Sequence, residues 1–308
     1  MADGVPTIIR TVFRCLSLCA PKTAGNLAFT LFCRPPDARK ITPVQSSLRD
    51  IATPLLEKAQ RRSVYLRDDG GGVFNISTYV FEPEADHLPT SDHTTLLVHG
   101  WSSRATHMLA FVQPLLDLGH KVVAVDLPAH GESSGRLFHV PLGVRALHAV
   151  STQVCSWNSI IAHSLGGTVT SALVDGTIRD CEPMVPKRLV LISTPNCIPQ
   201  IFADFSEMIG LNTKGHATLC SKAEQIAGSP LGAFVTQRQV QDAGVPTLVI
   251  HDHDDREIPV SEATAIAGDN PAAELYPVNG HGHRRILYAE DVVKQAVAFC
   301  TGTIQECS

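Results

Sequence analysis

Residues 157–173, WNSIIAHSLGGTVTSAL, hold the pattern on which the fold assignment depends. The apolar run SIIAH predicts a buried β-strand, and the chain from Leu165 onward predicts a helix. Ser164 stands where the two meet, in a near-match to G-x-S-x-G, a pattern that places a serine on a sharp turn from strand to helix. Ala162 replaces the first glycine. A match this loose arises by chance roughly one time in five in a chain of this length, so the turn needs support from elsewhere.

The remaining chain repeats this alternation of apolar runs and helical segments. The predicted strands are TTLLVH, KVVAVDL, SIIAH, RLVLIS, PTLVIH and AELYPV, and among the predicted helices are ATHMLAFVQPLLDLG, GVRALHAVSTQV and YAEDVVKQAVAFC. A β-hairpin, VYLRDDGGGVFNISTYVFEP, is predicted before the first of these strands. Such alternation predicts an α/β fold with a mostly parallel sheet covered by helices on both faces.

The predicted organisation has three parts. Residues 1–60 form an N-terminal helical extension, residues 61–308 form the main domain, and a small helical cap is inserted at about 196–243, where no strand pattern is found. The extension is apolar, but Arg10, Arg14, Lys22 and Arg34 interrupt it, and it lacks the run of about 18 apolar residues that a membrane span needs. We interpret it as an amphipathic extension packed on the main domain, with contact to a membrane interface as the alternative.

Composition excludes several classes of function. The 308 residues carry a net charge of −5, so no basic field is available for binding nucleic acid. The nine cysteines are scattered and include no C-x-x-C pair, which argues against a disulfide framework and a structural zinc site. This cysteine usage favours a reducing compartment, and we expect a cytoplasmic location.

Ligands of open parallel sheets gather beyond the carboxyl ends of the strands, so candidate chemistry should follow each apolar run. His99, Gly100 and Trp101 follow the first run, and a glycine there lets a backbone N–H face a ligand, although it also suits an ordinary turn. If Ser164 is a nucleophile, the N–H of Leu165 at the helix N-terminus is one expected oxyanion donor. A loop of the His99–Trp101 kind supplies the other.

The stretch HDHDDREIP after PTLVIH supports two interpretations. His251, His253 and Asp255 have an H-x-H-x-D spacing that occurs in metal sites, but Arg256 follows where that motif continues with histidine. The alternative is the acid of a catalytic triad. We prefer Asp255 over Asp254 for that role. A triad acid in the loop after such a strand is usually followed by two residues and then Val-Pro or Ile-Pro, and Asp255 has this spacing.

His281 and His283 follow the last predicted strand in the glycine-rich loop NGHGHRRIL. A lone histidine is more often structural than catalytic. The order Ser164, Asp255 and then a histidine is, however, the nucleophile–acid–base order of the α/β-hydrolase fold. Weak signals in the correct order, each at a strand end, support one another.

These motifs resemble the α/β-hydrolase superfamily. They are most similar to bacterial serine hydrolases that carry HGW, D-x-PAHG-x-S, AHSLG, HD-x-DDREIP and GLGHRRIL, and the resemblance runs from about residue 60 to the C-terminus. It implies that alanine at the position of Ala162 is typical of this subfamily. It also implies that His283 is the base, since the relatives have leucine at the position of His281. The loop that contains His130 and Ser133 should shape the site without a catalytic role.

The resemblance implies acyl transfer through a covalent intermediate. Ser164 is the expected nucleophile, His283 the base, Asp255 its orienting acid, and the N–H groups of Trp101 and Leu165 the oxyanion donors. No cofactor or metal is expected. The preferred substrate is a small-molecule ester or thioester. The same triad also suits an acyltransferase or a peptidase, and a signal receptor of this fold without catalysis is a further alternative.

The predicted cap offers an apolar segment that bears on substrate choice. IPQIFADFSEMIGL, at residues 198–211, contains aliphatic and aromatic side chains at helical spacing. They would line an apolar acyl pocket or simply pack the cap onto the core.

Overall fold

A computed structural model describes residues 6–36, 54–67, 72–84, 93–154 and 156–302. These residues form eight strands: β1 (Gln60–Arg67), β2 (Val73–Phe81), β3 (Thr94–Val98), β4 (Lys121–Val125), β5 (Ser159–His163), β6 (Arg188–Ile192), β7 (Thr247–Asp252) and β8 (Ala273–Val278). They make one sheet in the order β1-β2-β4-β3-β5-β6-β7-β8. β2 runs antiparallel to both of its neighbours, and the other neighbouring pairs are parallel. The predicted hairpin and the mostly parallel sheet are confirmed.

The helices are α1 (Thr7–Cys19), α2 (Pro21–Phe32), α3 (Val112–Asp117), α4 (Val140–Ser151), α5 (Leu165–Asp175), α6 (Ile198–Ile209), α7 (Thr213–Ala227), α8 (Thr236–Ala243), α9 (Val260–Ala267), α10 (Gly282–Arg285) and α11 (Glu290–Thr301). Residues 54–57 form a helical turn. Short 3₁₀ helices occupy Ala105–Phe111, Leu231–Ala233 and Ile286–Tyr288. The segment predicted as one helix from Ala105 is thus a 3₁₀ helix followed by α3. Pro114 lies in the first turn of α3, where a missing N–H costs nothing.

The central strands divide the core into two apolar clusters, one on each face of the sheet. On β5, Ile160 and Ala162 belong to one cluster and Ile161 to the other. This alternation follows from the two-residue repeat of a strand. Because helices cover both faces, every residue of β5 is buried, which explains its uninterrupted apolar run.

The N-terminal helices pack on helices that lie beyond the sheet. α2 contacts α7, and α1 contacts α6. Phe13, Ala28 and Phe29 are buried in the first of the two core clusters. The helical conformation is interrupted between the two helices at Ala20, directly before Pro21. None of the described helices combines the length and hydropathy that crossing a bilayer requires.

Three helices, α6, α7 and α8, lie between β6 and β7. They span residues 198–243, close to the predicted insertion at about 196–243, and α6 and α7 belong to the wall of the cavity described below. We propose that they form the cap. The boundary between the N-terminal extension and the main domain likewise stays a prediction.

Candidate active site

Ser164 lies directly between β5 and α5 in a strained backbone conformation. Its angles, φ 54° and ψ −129°, fall in a region that non-glycine residues rarely adopt, at a cost of roughly 1–3 kcal/mol. The Ser164 N–H donates to the carbonyl of Ile192 on β6 at 2.9 Å, and its own carbonyl accepts the Gly167 N–H at 2.8 Å. Strain held in place by hydrogen bonds on both sides is typical of a functional turn.

Two glycines allow other segments to approach this turn. A Cβ on Gly100 would lie 2.7 Å from the Cβ of Ser164, and a Cβ on Gly166 would overlap the His99 carbonyl. Neither position therefore accepts a side chain without movement. Ala162, which replaces the first glycine of the pattern, lies within β5 with its methyl group buried in the core. The alanine is accommodated as an ordinary strand residue.

The structure brings together the three side chains predicted for nucleophile, base and acid. Ser164 Oγ lies 3.0 Å from His283 Nε2, and His283 Nδ1 lies 2.7 Å from Asp255 Oδ2. The residues follow β5, β8 and β7, so three strand ends converge. When Nδ1–H donates to the carboxylate, the Nε2 lone pair faces the serine hydroxyl and can accept its proton.

Asp255, and not the adjacent Asp254, is the carboxylate that contacts the imidazole. Its other oxygen, Oδ1, accepts the backbone N–H groups of Glu257 at 2.8 Å and Ile258 at 2.9 Å. Burial by itself would raise the pKa of Asp255, but the hydrogen bond and charge of His283 and these two N–H groups lower it below its ordinary value. The carboxylate is therefore ionised at neutral pH.

Asp252, the last residue of β7, ties the loop of the acid to the loop of the base. Its carboxylate accepts the N–H of Asp254 at 2.6 Å and the N–H of His281 at 2.6 Å. The Asp254 carboxylate in turn accepts the N–H of Gly280 at 3.0 Å. The sequence assigned no role to Asp252. Its only local signal is its position at the end of an apolar run.

Of the other histidines of these two loops, His251 borders the triad acid, with its Nε2 3.5 Å from Asp255 Oδ2. His281 Nε2 lies 3.7 Å from Asp291 Oδ1, and His253 is exposed. His251 is buried, and its Nε2 donates to a backbone carbonyl of the following loop at 2.9 Å. Across the described residues, no group of three or more His, Cys, Asp and Glu side chains could hold a metal ion. The H-x-H-x-D spacing therefore does not converge on a common point.

The N–H groups predicted as oxyanion donors border the serine. Leu165 is the first residue of α5, and Trp101 follows Gly100, whose backbone approaches the Ser164 side chain. Neither N–H has a hydrogen-bond acceptor among the residues that the structure describes. A developing negative charge on a substrate oxygen would meet two unpaired donors and the N-terminus of a helix.

Two buried histidines hold the loop that carries Trp101. His99 Nδ1–H donates to the Gly100 carbonyl at 2.7 Å, and His99 Nε2 accepts the Leu127 N–H at 3.0 Å. His130 Nε2 accepts the Ser102 N–H at 3.2 Å. Burial lowers the pKa of His99 well below its ordinary value and lowers the pKa of His130 to about 4. Both rings are therefore neutral and act as fixed supports.

His163, directly before the serine, contacts the base and was missed by the sequence reasoning. Its Nε2–H donates to the backbone carbonyl of His283 at 2.8 Å, and the two ring centroids are 4.9 Å apart. Burial, and then the charge of His283, lower the pKa of His163 to about 3. Its only sequence signal is its place in AHSLG, which fits a buried strand residue equally well.

An apolar cavity of about 430 Å³ opens onto Ser164 and His283. The Phe32 ring of α2 lies 4.7 Å from that of Phe202 and 5.1 Å from that of Phe205, both on α6, measured between centroids. The wider wall contains apolar residues of α1, α2, α6 and α7: Ile9, Phe29, Leu31, Phe32, Ile198, Ile201, Phe202, Phe205, Ile209, Ala223, Ile226 and Ala227. The sequence pointed to residues 198–211 alone, so the wall built from α1 and α2 is a finding of the tertiary structure.

Residues 95–296 match the alpha/beta hydrolase family. A serine hydrolase-like protein of Danio rerio is 30% identical over 122 residues, which are 38% of this chain and 35% of that protein. A pimeloyl-[acyl-carrier protein] methyl ester esterase of Neisseria meningitidis is 34% identical over 87 residues, which are 28% of this chain and 32% of that protein. The matched segments thus span about a third of the length of each relative.

The fold is also that of solved structures. Est1E of Butyrivibrio proteoclasticus, solved with ferulic acid bound, superposes with a TM-score of 0.58 over 78% of this chain and 96% of that chain, at 18% identity. At this identity the likeness shows the fold alone. The family match covers about two thirds of the chain and includes the strands from β3 to β8, their loops and most of α11. The chain therefore belongs to the alpha/beta hydrolase family of enzymes.

Proposed function

We propose that this protein is a serine hydrolase that cleaves carboxylic ester or thioester bonds through an acyl-enzyme intermediate. The observation that carries the proposal is the line of contacts from Ser164 Oγ through His283 to Asp255, 3.0 Å and 2.7 Å long, in the wall of an apolar cavity. The relative named as a methyl ester esterase supports an ester substrate. The proposed reaction uses no cofactor or metal.

In the first half-reaction, Ser164 Oγ attacks the substrate carbonyl carbon while its proton moves to His283 Nε2. The carbonyl oxygen becomes an oxyanion, which accepts the N–H groups of Trp101 and Leu165. The imidazolium then donates its proton to the leaving alcohol or thiol as the bond to the acyl carbon breaks. Asp255 stabilises the imidazolium throughout.

In the second half-reaction, water attacks the acyl carbon and gives a proton to His283 Nε2. The tetrahedral intermediate collapses, the acid is released, and the proton returns to Ser164 Oγ. Each half-reaction thus restores the protonation state in which it began.

The cavity suggests the class of acyl group. Its wall is mainly aliphatic and aromatic, and its 430 Å³ lies in the range of small-molecule sites. A water molecule takes about 30 Å³ in the liquid, so a cavity of this size holds an acyl group on the order of ten heavy atoms. We therefore propose a medium-length aliphatic acyl chain as the preferred substrate.

A series of p-nitrophenyl esters of increasing chain length tests the proposal. Wild type should turn over medium chains best, and Ser164→Ala should lower kcat by about 10⁴-fold or more. A fluorophosphonate probe should label wild type on Ser164 and leave the alanine variant unlabelled. His283→Ala should block acylation, whereas His281→Ala is the matched control and should retain turnover, because His281 faces Asp291.

Each contrary result has its own meaning. Turnover retained by Ser164→Ala would contradict the nucleophile assignment. Loss of activity in His281→Ala alone would show that His281, and not His283, is the base. Labelling without turnover of any ester would favour an acyltransferase, a peptidase or a narrow substrate range. The absence of both labelling and turnover would favour a signal receptor of this fold.

The seven described cysteines are all free, which supports the predicted cytoplasmic location.

A further inference from the structure

The N-terminal helices expose a group of large apolar side chains. We define the outer face of α1–α2 by Ile8, Val12, Leu18, Leu27 and Leu31. Leu18 and Ile8 are the most exposed large apolar side chains of the described residues, at 79% and 77%. Isolated exposed apolar residues are ordinary, but a group on one helical hairpin indicates an interaction surface.

The arrangement on α1 shows that this exposure is systematic. Phe13 and Ser17 are buried against the rest of the protein. Ile8, Val12, Cys15 and Cys19 follow one another at i, i+4, i+7 and i+11, a spacing that places them on a single exposed stripe of the helix. A surface helix of a globular protein carries polar residues on its outer side, whereas this exposed stripe of α1 is apolar.

The charge of the segment identifies the partner chemistry. Residues 6–36 contain the cations Arg10, Arg14, Lys22 and Arg34 and no acidic residue, although the whole chain carries a net charge of −5. All four side chains belong to exposed residues, and within the described part of the chain none of them forms an ion pair. An exposed apolar group on a segment whose charged residues are all cations complements an anionic lipid surface.

The outer face also adjoins the cavity. Leu31, Arg34 and Pro36 are exposed at the surface and line the cavity wall at the same time. The cavity therefore reaches the surface beside the exposed apolar group. A bilayer in contact with this face would lie next to the cavity that leads to Ser164.

We propose that the outer face of α1–α2 docks on an anionic lipid surface. The two helices lie along the interface, with the apolar side chains among the acyl chains and the cations at the headgroups. The docking is separate from the proposed hydrolysis and needs no catalytic residue. It places the open side of the cavity at the membrane, where an acyl substrate dissolved in lipid could reach it without crossing water.

Vesicle flotation with the full chain tests this surface. Wild type should bind vesicles of phosphatidylcholine with one third phosphatidylglycerol and bind vesicles of phosphatidylcholine alone much more weakly. Raising the salt from about 0.15 M to about 1 M should release the protein, because the Debye length falls from about 8 Å to about 3 Å. The double variant Ile8→Ser and Leu18→Ser should weaken binding by roughly tenfold or more per residue.

Matched variants separate this surface from general properties of the protein. Lys22→Gln should weaken binding by roughly fivefold, while Arg238→Gln on α8 should leave it unchanged. The double variant Val73→Ser and Val185→Ser removes apolar side chains that are 59% and 62% exposed elsewhere and should also bind as wild type does. Circular dichroism checks that every variant keeps its fold.

Three outcomes would overturn the proposal. The first is a wild-type protein that binds neither kind of vesicle. The second is a set of control variants that weaken binding as much as the variants of the outer face. The third outcome is a concentration-dependent dimer in sedimentation, abolished by Ile8→Ser and Leu18→Ser, without vesicle binding. That result would assign the face to a second copy of the chain.

Discussion

Gly100→Ala should disable the oxyanion donor of Trp101 while leaving the nucleophile, base and acid chemically intact. The added Cβ would lie 2.7 Å from the Cβ of Ser164, whereas ordinary contacts begin at 3.4 Å, so the two must separate by roughly 0.7 Å. A misplacement of about 1 Å in an active site can lower the reaction rate by about 10²-fold. Loss of one oxyanion donor costs about 10²–10³-fold in kcat. We therefore expect kcat to fall by roughly 10²-fold.

The assay compares kcat and KM for the best p-nitrophenyl ester in Gly100→Ala, wild type and a matched control. Gly232→Ala is that control, because a Cβ on Gly232 would meet no atom within 4 Å. KM should change little in Gly100→Ala, since the acyl cavity is untouched, and overpacking should lower the free energy of unfolding by about 1–3 kcal/mol. A folded Gly100→Ala enzyme with the kcat of wild type would refute the oxyanion role of this loop.

Three further predictions concern the cavity and the supports of the base. Phe32→Ala should enlarge the cavity beside Phe202 and raise kcat/KM for long relative to medium acyl chains by roughly tenfold, as an ester series would show; an unchanged preference would remove α2 from the acyl site. Asp255→Asn should lower kcat by about 10⁴-fold. The pKa of Asp255 is lowered in the folded state, so its contribution to stability is present above the ordinary carboxyl pKa and is lost as the pH falls through the folded value. Urea unfolding should therefore show the difference between wild type and Asp255→Asn shrinking below about pH 4, and a constant difference would contradict the ion pair with His283. His163→Leu removes the N–H donated to the His283 carbonyl and should lower kcat without a new inflection above pH 5, because His163 is already neutral. His163→Gln, which keeps a donor, should recover part of the loss, and equal activity of the two variants would leave His163 without a positioning role.

Local pattern was sufficient to predict most of the sheet. SIIAH coincides with β5, because strands in a covered sheet carry their apolar character in consecutive residues. AELYPV coincides with β8, the partly exposed strand at the edge of the sheet. The 3₁₀ helix Ala105–Phe111 was predicted as α-helix, since the two helix types share nearly the same apolar spacing over one or two turns. Differences between them depend on the chain that packs against the segment.

The candidate site was predicted one residue at a time, and two of its supports, His163 and Asp252, were not predicted. Ser164, Asp255 and His283 each follow an apolar run, so the rule that chemistry lies beyond strand ends was enough to select them. His163 and Asp252 act through backbone groups of the loop after β8, which are close in space but far away in sequence. No local pattern records such a contact.

The order of residues along the chain thus determined the alternation of strands and helices, the strained serine turn and the succession of nucleophile, acid and base. Those features depend on neighbours within about ten residues, where periodicity and turn chemistry act. Only the tertiary structure decided that α2 forms a wall of the cavity and that the other side of α1 and α2 remains exposed. The reason is physical: which face of an amphipathic helix is buried depends on the surface offered by distant helices, and here α6 and α7 cover one apolar face and leave the other open.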